Sequence, residues 1–253
     1  MRIAIITGAS SGMGREFARQ LTAAEKFDEL WVIARRAHRL EKLKKELSLP
    51  VRVLALDLTK ETEKYAALLA AEQPEVSILI NSSGFGKFGR YNQIPLQDCM
   101  DMIDLNCKAL VAVTQLTLPY MTAGSRILQV DSLSAFQPVP YLNVYGATKA
   151  FVLSYSQALA AELRDRKIQV MAFCPGWVKT EFFDHAEETS GDAVVYYNKW
   201  FTAEEAVRCG LKDLKKRKLV SVPSLTNKLQ VFGVKHLPTR WVMNIWLKQQ
   251  KKR

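Results

Sequence analysis

The sequence predicts an α/β fold with a single doubly wound parallel sheet that carries helices on both faces. Short apolar runs, such as residues 3–7, alternate with longer segments in which apolar residues recur at helical spacing. The runs are apolar throughout, which is typical of parallel strands buried on both faces. No linker, repeat or low-complexity block interrupts the alternation, so we expect one domain over residues 1–253.

The same alternation predicts each element in turn. Predicted strands lie at residues 3–7, 30–34, 51–56, 77–80, 126–130, 168–173 and 219–222. Predicted helices lie at residues 12–25, 36–47, 60–72, 97–122, 143–165 and 202–216.

Residues 177–201 break this pattern. This long connection carries seven aromatic residues. Long connections in compact domains are often lids or binding loops, so we expect a substrate lid here. The alternative is a surface excursion that its aromatic side chains merely anchor.

Charge is distributed unevenly along the chain. The formal net charge is +11, yet residues 1–211 hold 24 basic and 24 acidic residues. Residues 212–253 hold 12 basic residues and one acid, Asp213. A neutral body with a basic end is unlike a uniformly basic nucleic-acid-binding domain. The content of 48% hydrophobic residues excludes a disordered chain, and no apolar run reaches the roughly 18 residues of a transmembrane helix.

The four cysteines indicate neither a disulfide framework nor a metal site. None forms a Cys-x-x-Cys pair, and no histidine cluster accompanies them. We therefore expect a reducing, cytoplasmic location, with Cys107 and Cys174 as buried thiols. The apolar stretch at residues 3–8 is too short for the apolar region of a signal peptide.

A glycine-rich turn follows the first predicted strand. Gly8, Gly12 and Gly14 lie in the segment Thr-Gly-Ala-Ser-Ser-Gly-Met-Gly, which opens the first predicted helix. Glycine allows backbone to turn sharply and to approach a phosphate closely. The helix N-terminus adds unpaired N–H groups and a favourable dipole, so the turn predicts a diphosphate site. The alternative is an ordinary strand–helix turn.

Tyr145 and Lys149 are the clearest catalytic candidates. They lie four residues apart on a predicted helix and so share one face. An ammonium beside a phenol lowers the pKa of the phenol, which would make Tyr145 a usable proton donor or acceptor. Such pairs are common on helix surfaces, so the pair alone is a weak signal. Ser132 ends a predicted strand, where sites lie in open α/β sheets, and its hydroxyl could polarise a substrate oxygen.

These motifs together resemble the short-chain dehydrogenase/reductase family. The glycine turn, then Asn106, Ser132, Tyr145 and Lys149, match the family's pattern in order and approximate spacing. The resemblance implies a Rossmann-type domain that binds NADP(H) and reduces a ketone or oxidises an alcohol. It also implies a role for Asn106, which would hold a water that connects the lysine to a proton relay.

The resemblance implies a set of cofactor-binding residues besides Tyr145 and Lys149. The glycine turn and the pair after the third strand contribute Gly8, Ser10, Ser11, Gly12, Met13, Gly14, Asp57 and Leu58. Segments after the fourth and sixth strands contribute Asn81, Gly84, Pro175, Gly176, Val178 and Thr180.

The residues after the second strand indicate which nicotinamide cofactor is bound. An acid there would bind a ribose 2′-hydroxyl, whereas an arginine accommodates a 2′-phosphate. The chain has Arg35 and no acid at this position. Because a guanidinium binds phosphate well, we expect NADP(H), with Arg15 as a second candidate. Both arginines could instead be solvated surface charges.

Two positions depart from the family pattern. Ser82 and Ser83 stand where the family usually has Asn-Ala, which puts the cofactor contacts there in doubt. Asp131 precedes Ser132 at a position that is often small or polar. Its role is open, and a solvent-facing capping residue is the ordinary interpretation.

Residues 225–253 read as a basic amphipathic helix or tail. Trp241, Val242, Ile245 and Trp246 share a helical face, and Lys248, Lys251, Lys252 and Arg253 follow. Such an end could lie on an anionic membrane. We favour the alternative that it packs on its own domain or on a second subunit.

The sequence therefore predicts an NADPH-dependent carbonyl reductase, or the reverse alcohol dehydrogenase. The aromatic lid favours an apolar or lipid-like substrate, such as a steroid or a 3-oxoacyl compound. The competing hypothesis is a catalytically weak NADP(H)-binding scaffold or redox sensor. The resemblance also implies a homodimer or homotetramer built on residues 97–122 and 143–165.

Overall fold

The computed structural model describes residues 1–251 as strands and helices in alternation. The strands are β1 (Arg2–Thr7), β2 (Glu29–Ile33), β3 (Val51–Leu54), β4 (Glu75–Asn81), β5 (Arg126–Val130), β6 (Gln169–Phe173), β7 (Trp177–Lys179), β8 (Trp200–Thr202) and β9 (Val220–Ser221). The helices are α1 (Gly12–Ala24), α2 (Ala37–Glu46), α3 (Thr62–Glu72), α4 (Leu96–Ile103), α5 (Leu110–Thr117), α6 (Asn143–Glu162), α7 (Phe182–Ala186), α8 (Ala203–Lys215), α9 (Leu225–His236) and α10 (Thr239–Gln250).

Seven strands form one parallel sheet in the order β3-β2-β1-β4-β5-β6-β9. The chain starts at a central strand and adds strands first on one side and then on the other. This is the doubly wound arrangement that the sequence predicts. Within residues 1–251, no helix is long and apolar enough to cross a lipid bilayer.

The apolar strands are buried on both faces. In β1, Ala4 and Ile6 pack into the core on one face, whereas Ile3 and Ile5 pack into the core on the other. Helices cover both cores, so every second residue of a strand meets a different helical layer. Because both faces of each strand are buried, the strands appear in the sequence as continuous apolar runs.

The long helical segment predicted at residues 97–122 is divided. A six-residue π-helical stretch, Asp104–Ala109, separates α4 from α5, and a 3-10 turn over Leu118–Tyr120 follows α5. Such widened turns are rare and occur mostly at functional sites, because they redirect a side chain. Here the widened turn contains Asn106.

The predicted C-terminal helix is two helices, α9 and α10. They are separated at Leu237 and Pro238, where proline lacks an N–H group and disfavours helical geometry in the residue before it. Lys252 and Arg253, which belong to the predicted basic end, lie outside the described residues.

The connection predicted as a lid has its two ends tied together. Strands β7 and β8 pair in parallel, with Trp177 opposite Trp200 and Lys179 opposite Thr202. Between them the chain makes the short helix α7 and a 3-10 turn. The segment is therefore a closed loop whose base is fixed by backbone hydrogen bonds.

Candidate functional site

Two adjoining pockets lie at the carboxyl ends of the strands. One, which we call the glycine cleft, has a volume of about 700 Å³ and is lined by the glycine turn and by the ends of β2, β3 and β4. The other, the tyrosine cavity, has a volume of about 430 Å³ and contains Ser132 and Tyr145. Met13, Thr180 and Phe182 line both pockets, so the two pockets share one wall.

The glycine turn forms a cradle into which no side chain would fit. Gly8 has a positive φ of 68°, and a Cβ atom added there would lie 2.6 Å from the carbonyl oxygen of Ser82. A Cβ atom on Gly14 would lie 2.2 Å from the carbonyl oxygen of Gly8. Such close backbone approach next to a helix N-terminus suits a diphosphate, so the cleft fits a dinucleotide.

The Ser82–Ser83 departure leaves this cradle intact. The hydroxyl oxygen of Thr7 accepts hydrogen bonds from the backbone N–H groups of Ser82 and Ser83, at 3.0 and 3.1 Å. Ser82 and Ser83 contribute only their backbone N–H groups to these bonds, so the bonds do not depend on the side chains at these two positions. Both residues also line the glycine cleft.

Most of the predicted cofactor-binding residues line one of the pockets. The glycine cleft contains Gly8, Ser10, Ser11, Gly12, Met13, Gly14, Arg35, Asp57, Leu58, Gly84 and Thr180. The tyrosine cavity contains Pro175, Gly176 and Val178. Asn81 lines neither pocket: its side chain is buried and donates to the hydroxyl of Thr114 at 3.0 Å. This bond ties the end of β4 to helix α5, and the predicted contact of Asn81 with the cofactor stays a prediction.

The arginines at the glycine cleft differ from the prediction in one respect. Arg35 lines the cleft as expected. Arg36 also lines the cleft, although it is not among the candidates predicted from the sequence. The guanidinium of Arg36 donates to the hydroxyls of Ser10 and Ser11, at 3.1 and 2.7 Å. Arg15, the second candidate, forms an ion pair with Glu46 and does not line the cleft.

Glu181 is an unexpected acid at this end of the cleft. Its carboxylate pairs with Arg36 at 2.9 Å and with Arg39 at 2.6 Å. The hydrogen bond from Arg39, helped by Arg36, holds the pKa of Glu181 below its usual value. Glu181 lies near the start of residues 177–201, which we call the lid segment. These ion pairs therefore join the lid segment to helix α2.

Tyr145 lies in the tyrosine cavity next to Ser132. The hydroxyls of both residues lie in this cavity, and the oxygen of Ser132 accepts a hydrogen bond from the backbone N–H of Ser134 at 3.2 Å. Burial raises the pKa of Tyr145 above its ordinary value, while the neighbouring Ser132 hydroxyl opposes the shift. The lowered pKa that the sequence predicts for this phenol beside Lys149 is therefore not found.

Lys149 and Asn106 lie behind Tyr145 and line neither pocket. The ammonium of Lys149 donates to the carbonyl oxygen of Val130 at 2.9 Å and lies 5.8 Å from the centre of the Tyr145 ring. Burial lowers the pKa of Lys149, and the carboxylate of Asp131 opposes that shift. The amide of Asn106 donates to the carbonyl oxygen of Phe85 at 2.9 Å and to the hydroxyl of Thr148 at 3.1 Å.

Asp131 is buried, so the interpretation of this residue as a solvent-facing cap is wrong. Only 2% of it is exposed. The thiol of Cys174 donates to one carboxylate oxygen at 3.5 Å, and the other oxygen has no partner within residues 1–251. Burial raises the pKa of Asp131 to about 7, with the ammonium of Lys149 as the largest opposing influence. Cys107 and Cys174 are both buried, as predicted.

The cavity walls are aromatic. The ring of Phe182 lies 5.5 Å from that of Tyr145, and Phe183 packs edge-on against Trp200 at 4.5 Å. Trp177 stacks on Trp246 of α10 at 6.4 Å. Aromatic contacts thus form one network that reaches from Tyr145 through the segment at residues 177–201 to the C-terminal helix.

Several residues of the site escaped sequence analysis for identifiable reasons. Phe88 is fully buried among the lid aromatics, but it lies in an irregular segment that has no periodicity. A Cβ atom on Gly86 would lie 2.9 Å from the ring of Tyr145, a requirement that only three-dimensional contacts show. Arg36 follows Arg35 directly and could have been predicted from the sequence, since two adjacent arginines lie just after β2.

Comparisons with known proteins agree with this geometry. The family profile described as short chain dehydrogenase matches residues 2–191. A curated relative, sulfoacetaldehyde reductase 2 of Chromohalobacter salexigens, is 37% identical over 188 residues, which are 71% of this chain and 74% of the relative.

A second relative and a solved structure complete the comparison. The very-long-chain 3-oxoacyl-CoA reductase of Pyrenophora tritici-repentis is 35% identical over 179 residues, which are 66% of this chain and 52% of the relative. A short-chain dehydrogenase from Sphingobium yanoikuyae, solved in complex with NADPH, superposes with a TM-score of 0.76 at 27% identity and covers 100% of this chain and 97% of the other.

Proposed function

Because the chain belongs to the short-chain dehydrogenase family and is an NAD(P)-dependent oxidoreductase of carbonyl or alcohol groups, we propose that it is an NADPH-dependent reductase of apolar ketones. The observation that carries this proposal is that the Tyr145 hydroxyl lies beside Ser132 in a largely aromatic cavity, which adjoins a cleft that fits a dinucleotide. Reduction of a ketone needs a proton donor at this place.

NADPH held in the glycine cleft would supply a hydride to the carbonyl carbon of the substrate. The residues of the chain handle the proton and the charge. Ser132 donates to the carbonyl oxygen and stabilises the charge that develops there. Tyr145 gives its proton to the same oxygen, and the new O–H bond completes a secondary alcohol. The positive charge of Lys149 stabilises the phenolate that remains until a proton returns.

The arginines of the cleft support NADPH over NADH. Arg35 and Arg36 place two cations where β2 ends, and no acid follows β2 directly. A ribose 2′-phosphate would be bound by such a pair, whereas a 2′-hydroxyl gains little from it. The NADPH bound to the Sphingobium yanoikuyae neighbour is consistent with this preference.

The cavity favours an apolar substrate. Its lining includes Trp177, Phe182 and Phe183 from the lid segment and Trp246 from α10. The volume of about 430 Å³ lies within the range for drug-sized ligands, which are about as large as a steroid or a medium acyl chain. The relative that reduces 3-oxoacyl-CoA supports an acyl substrate, but the equally similar sulfoacetaldehyde reductase acts on a small polar one.

We further propose a homodimer or homotetramer in a reducing, cytoplasmic compartment. Leu96 and Met100 on α4 and Phe151 on α6 are large apolar residues that remain exposed. These two helices lie in the segments for which the family resemblance implies an interface. All four cysteines are free thiols, which suits a reducing compartment.

The test is turnover of NADPH with purified protein over a panel of steroid, 3-oxoacyl and small ketones, with NADH alongside. In Tyr145→Phe we expect kcat/KM to fall by roughly 10²- to 10⁴-fold while NADPH affinity, read by fluorescence titration, stays within about two-fold. Tyr155→Phe is the matched control, because Tyr155 lies on the same helix and its hydroxyl meets Gln115 outside both pockets. Full turnover by Tyr145→Phe would refute the assigned role, and tight NADPH binding without turnover on any ketone would favour a scaffold or redox sensor.

A further inference from the structure

The two C-terminal helices leave an apolar surface uncovered. On α9, Leu225, Leu229 and Phe232 follow each other at four- and three-residue spacing and are between 62% and 71% exposed. On α10, Trp241 and Ile245 lie one turn apart and are also exposed. We call these five exposed side chains the C-terminal face, and Leu229 of α9 and Ile245 of α10 line the same cavity. Contiguous exposed apolar patches on soluble proteins commonly mark interaction sites.

The opposite side of the same helices packs on the domain. Val242 is buried, and the indole of Trp246 donates to the carbonyl oxygen of Pro140 at 2.9 Å. The helices are therefore fixed to the domain by one side, and the exposed apolar side chains lie on the other side. In the structure Val242 and Trp246 face the domain, whereas Trp241 and Ile245 are exposed. The sequence predicts instead that these four residues of α10 share one face.

Positive charge surrounds this face. Exposed basic residues on or beside the two helices are Lys228, Lys235, Arg240, Lys248 and Lys251. None of them forms an ion pair within residues 1–251, and the sequence has no acid after Asp213. Apolar side chains bordered by unpaired cations are complementary to a surface with an anionic layer above an apolar interior.

The tyrosine cavity reaches this face. Leu229, Leu237 and Ile245 line the cavity and are at the same time 62%, 42% and 49% exposed. The outer end of the cavity therefore lies between α9 and α10, among the side chains of the C-terminal face. An apolar molecule that came from this side would reach Ser132 and Tyr145 without crossing the glycine cleft.

We propose that the C-terminal face docks on an anionic phospholipid surface and that a membrane-dissolved apolar substrate enters the tyrosine cavity there. The docking stands on the face alone, whereas the entry of substrate rests on the proposed function. A second copy of the chain is a poorer occupant, because a two-fold contact would place the same cations against each other. A nucleic acid offers phosphates but no apolar layer for Phe232 and Trp241.

The test is co-sedimentation of the purified full-length protein with vesicles of phosphatidylcholine alone or mixed with phosphatidylserine. We expect at least roughly ten-fold more protein on the anionic vesicles, with most of it released at high salt. The double variant Phe232→Ser/Trp241→Ser and the double variant Lys228→Glu/Lys235→Glu should each lose most of this binding. Neither pair lines a pocket, so turnover of a water-soluble ketone should stay unchanged in both.

The matched control is Tyr91→Ser, which removes an exposed apolar residue outside α4, α6 and the C-terminal face and should bind as the parent does. Equal binding to both vesicle types, no binding to either, or full binding by the face variants would overturn the proposal. So would a dimer, seen by light scattering, that only Phe232→Ser/Trp241→Ser dissociates, since that face would then be a subunit interface. Docking is measured without cofactor or substrate, so a failure of the reductase assay leaves this result interpretable.

Discussion

Asp131 is the residue whose placement carries the most chemical consequence. It is buried beside Ser132 with one carboxylate oxygen unpartnered among residues 1–251, and its charge opposes the lowering of the Lys149 pKa by burial. A lysine is charged at pH values below its pKa. Removing the carboxylate lowers the pKa of Lys149, so the charge is lost at a lower pH. For Asp131→Asn we therefore expect the alkaline limb of the kcat/KM profile to move to lower pH, with activity near pH 6 changed only about two- to three-fold.

The control for this prediction is Cys174→Ala. Cys174 donates to Asp131, yet its loss leaves both charges in place, so its alkaline limb should coincide with that of the parent. An unchanged profile in Asp131→Asn, measured by initial rates over the full pH range, would show that Asp131 acts only as packing.

At the scale of single residues, the sequence predicts which groups lie together better than it predicts their surroundings. Ser132 and Tyr145 are candidates because their types, spacing and order resemble the family pattern, and the structure brings them into one cavity. The burial of Asp131 cannot be predicted in this way, since a charged residue after a strand usually faces solvent. Only the folded sheet, in which β5 pairs with β6, shows that this side chain is almost fully buried.

At the scale of elements, the ion pairs of Glu181 with Arg36 and Arg39 link the lid segment to α2 at the wall of the glycine cleft. A 2′-phosphate bound to Arg36 must compete with that carboxylate. For Glu181→Gln we expect NADPH to bind up to about five-fold more tightly, because part-exposed ion pairs contribute roughly 1 kcal/mol or less. The Kd for NADH should stay the same, as both values from fluorescence titration would show.

Glu46→Gln provides the comparison for this element. Glu46 also pairs with two arginines, Arg15 and Arg19, but it does so away from the cleft and should alter neither affinity. Weaker NADPH binding in Glu181→Gln would contradict the competition and would indicate that Glu181 positions Arg36 for the phosphate.

The sequence predicts the order of the strands and helices, but it does not predict where the long helices are interrupted. Alternating apolar runs predict the strands and their parallel sheet because burial on both faces leaves a continuous pattern. The widened turn at Asp104–Ala109 leaves no such mark, since its residues are as helical in type as their neighbours. Pro238 does mark the division of the C-terminal segment, but the inward and outward faces of α10 depend on where the helix meets the domain.

At the scale of the whole molecule, the exposed apolar residues of α4 and α6 predict self-association. The ring of Phe151 stacks on that of Tyr155 at 6.1 Å, and 44% of Phe151 is exposed. A charge there would be buried without a partner in a subunit interface. We expect Phe151→Glu to shift the molar mass from light scattering to that of a single chain, with the circular dichroism unchanged.

Tyr91→Glu places the same charge at a residue that is 88% exposed and lies outside both helices. It should keep the parent mass. A parent protein that is already a single chain would refute the oligomer, and retention of the parent mass by Phe151→Glu would place the interface elsewhere.

The two pockets draw on different stretches of the chain, and this has an evolutionary consequence. Every residue that lines the glycine cleft precedes residue 186, whereas much of the tyrosine cavity is lined by residues 196–249. The family profile ends at residue 191. Mutation in the last quarter of the gene can therefore reshape the tyrosine cavity while the glycine cleft, Ser132 and Tyr145 are inherited unchanged. Exchanging that quarter between relatives would be a natural route to new substrates.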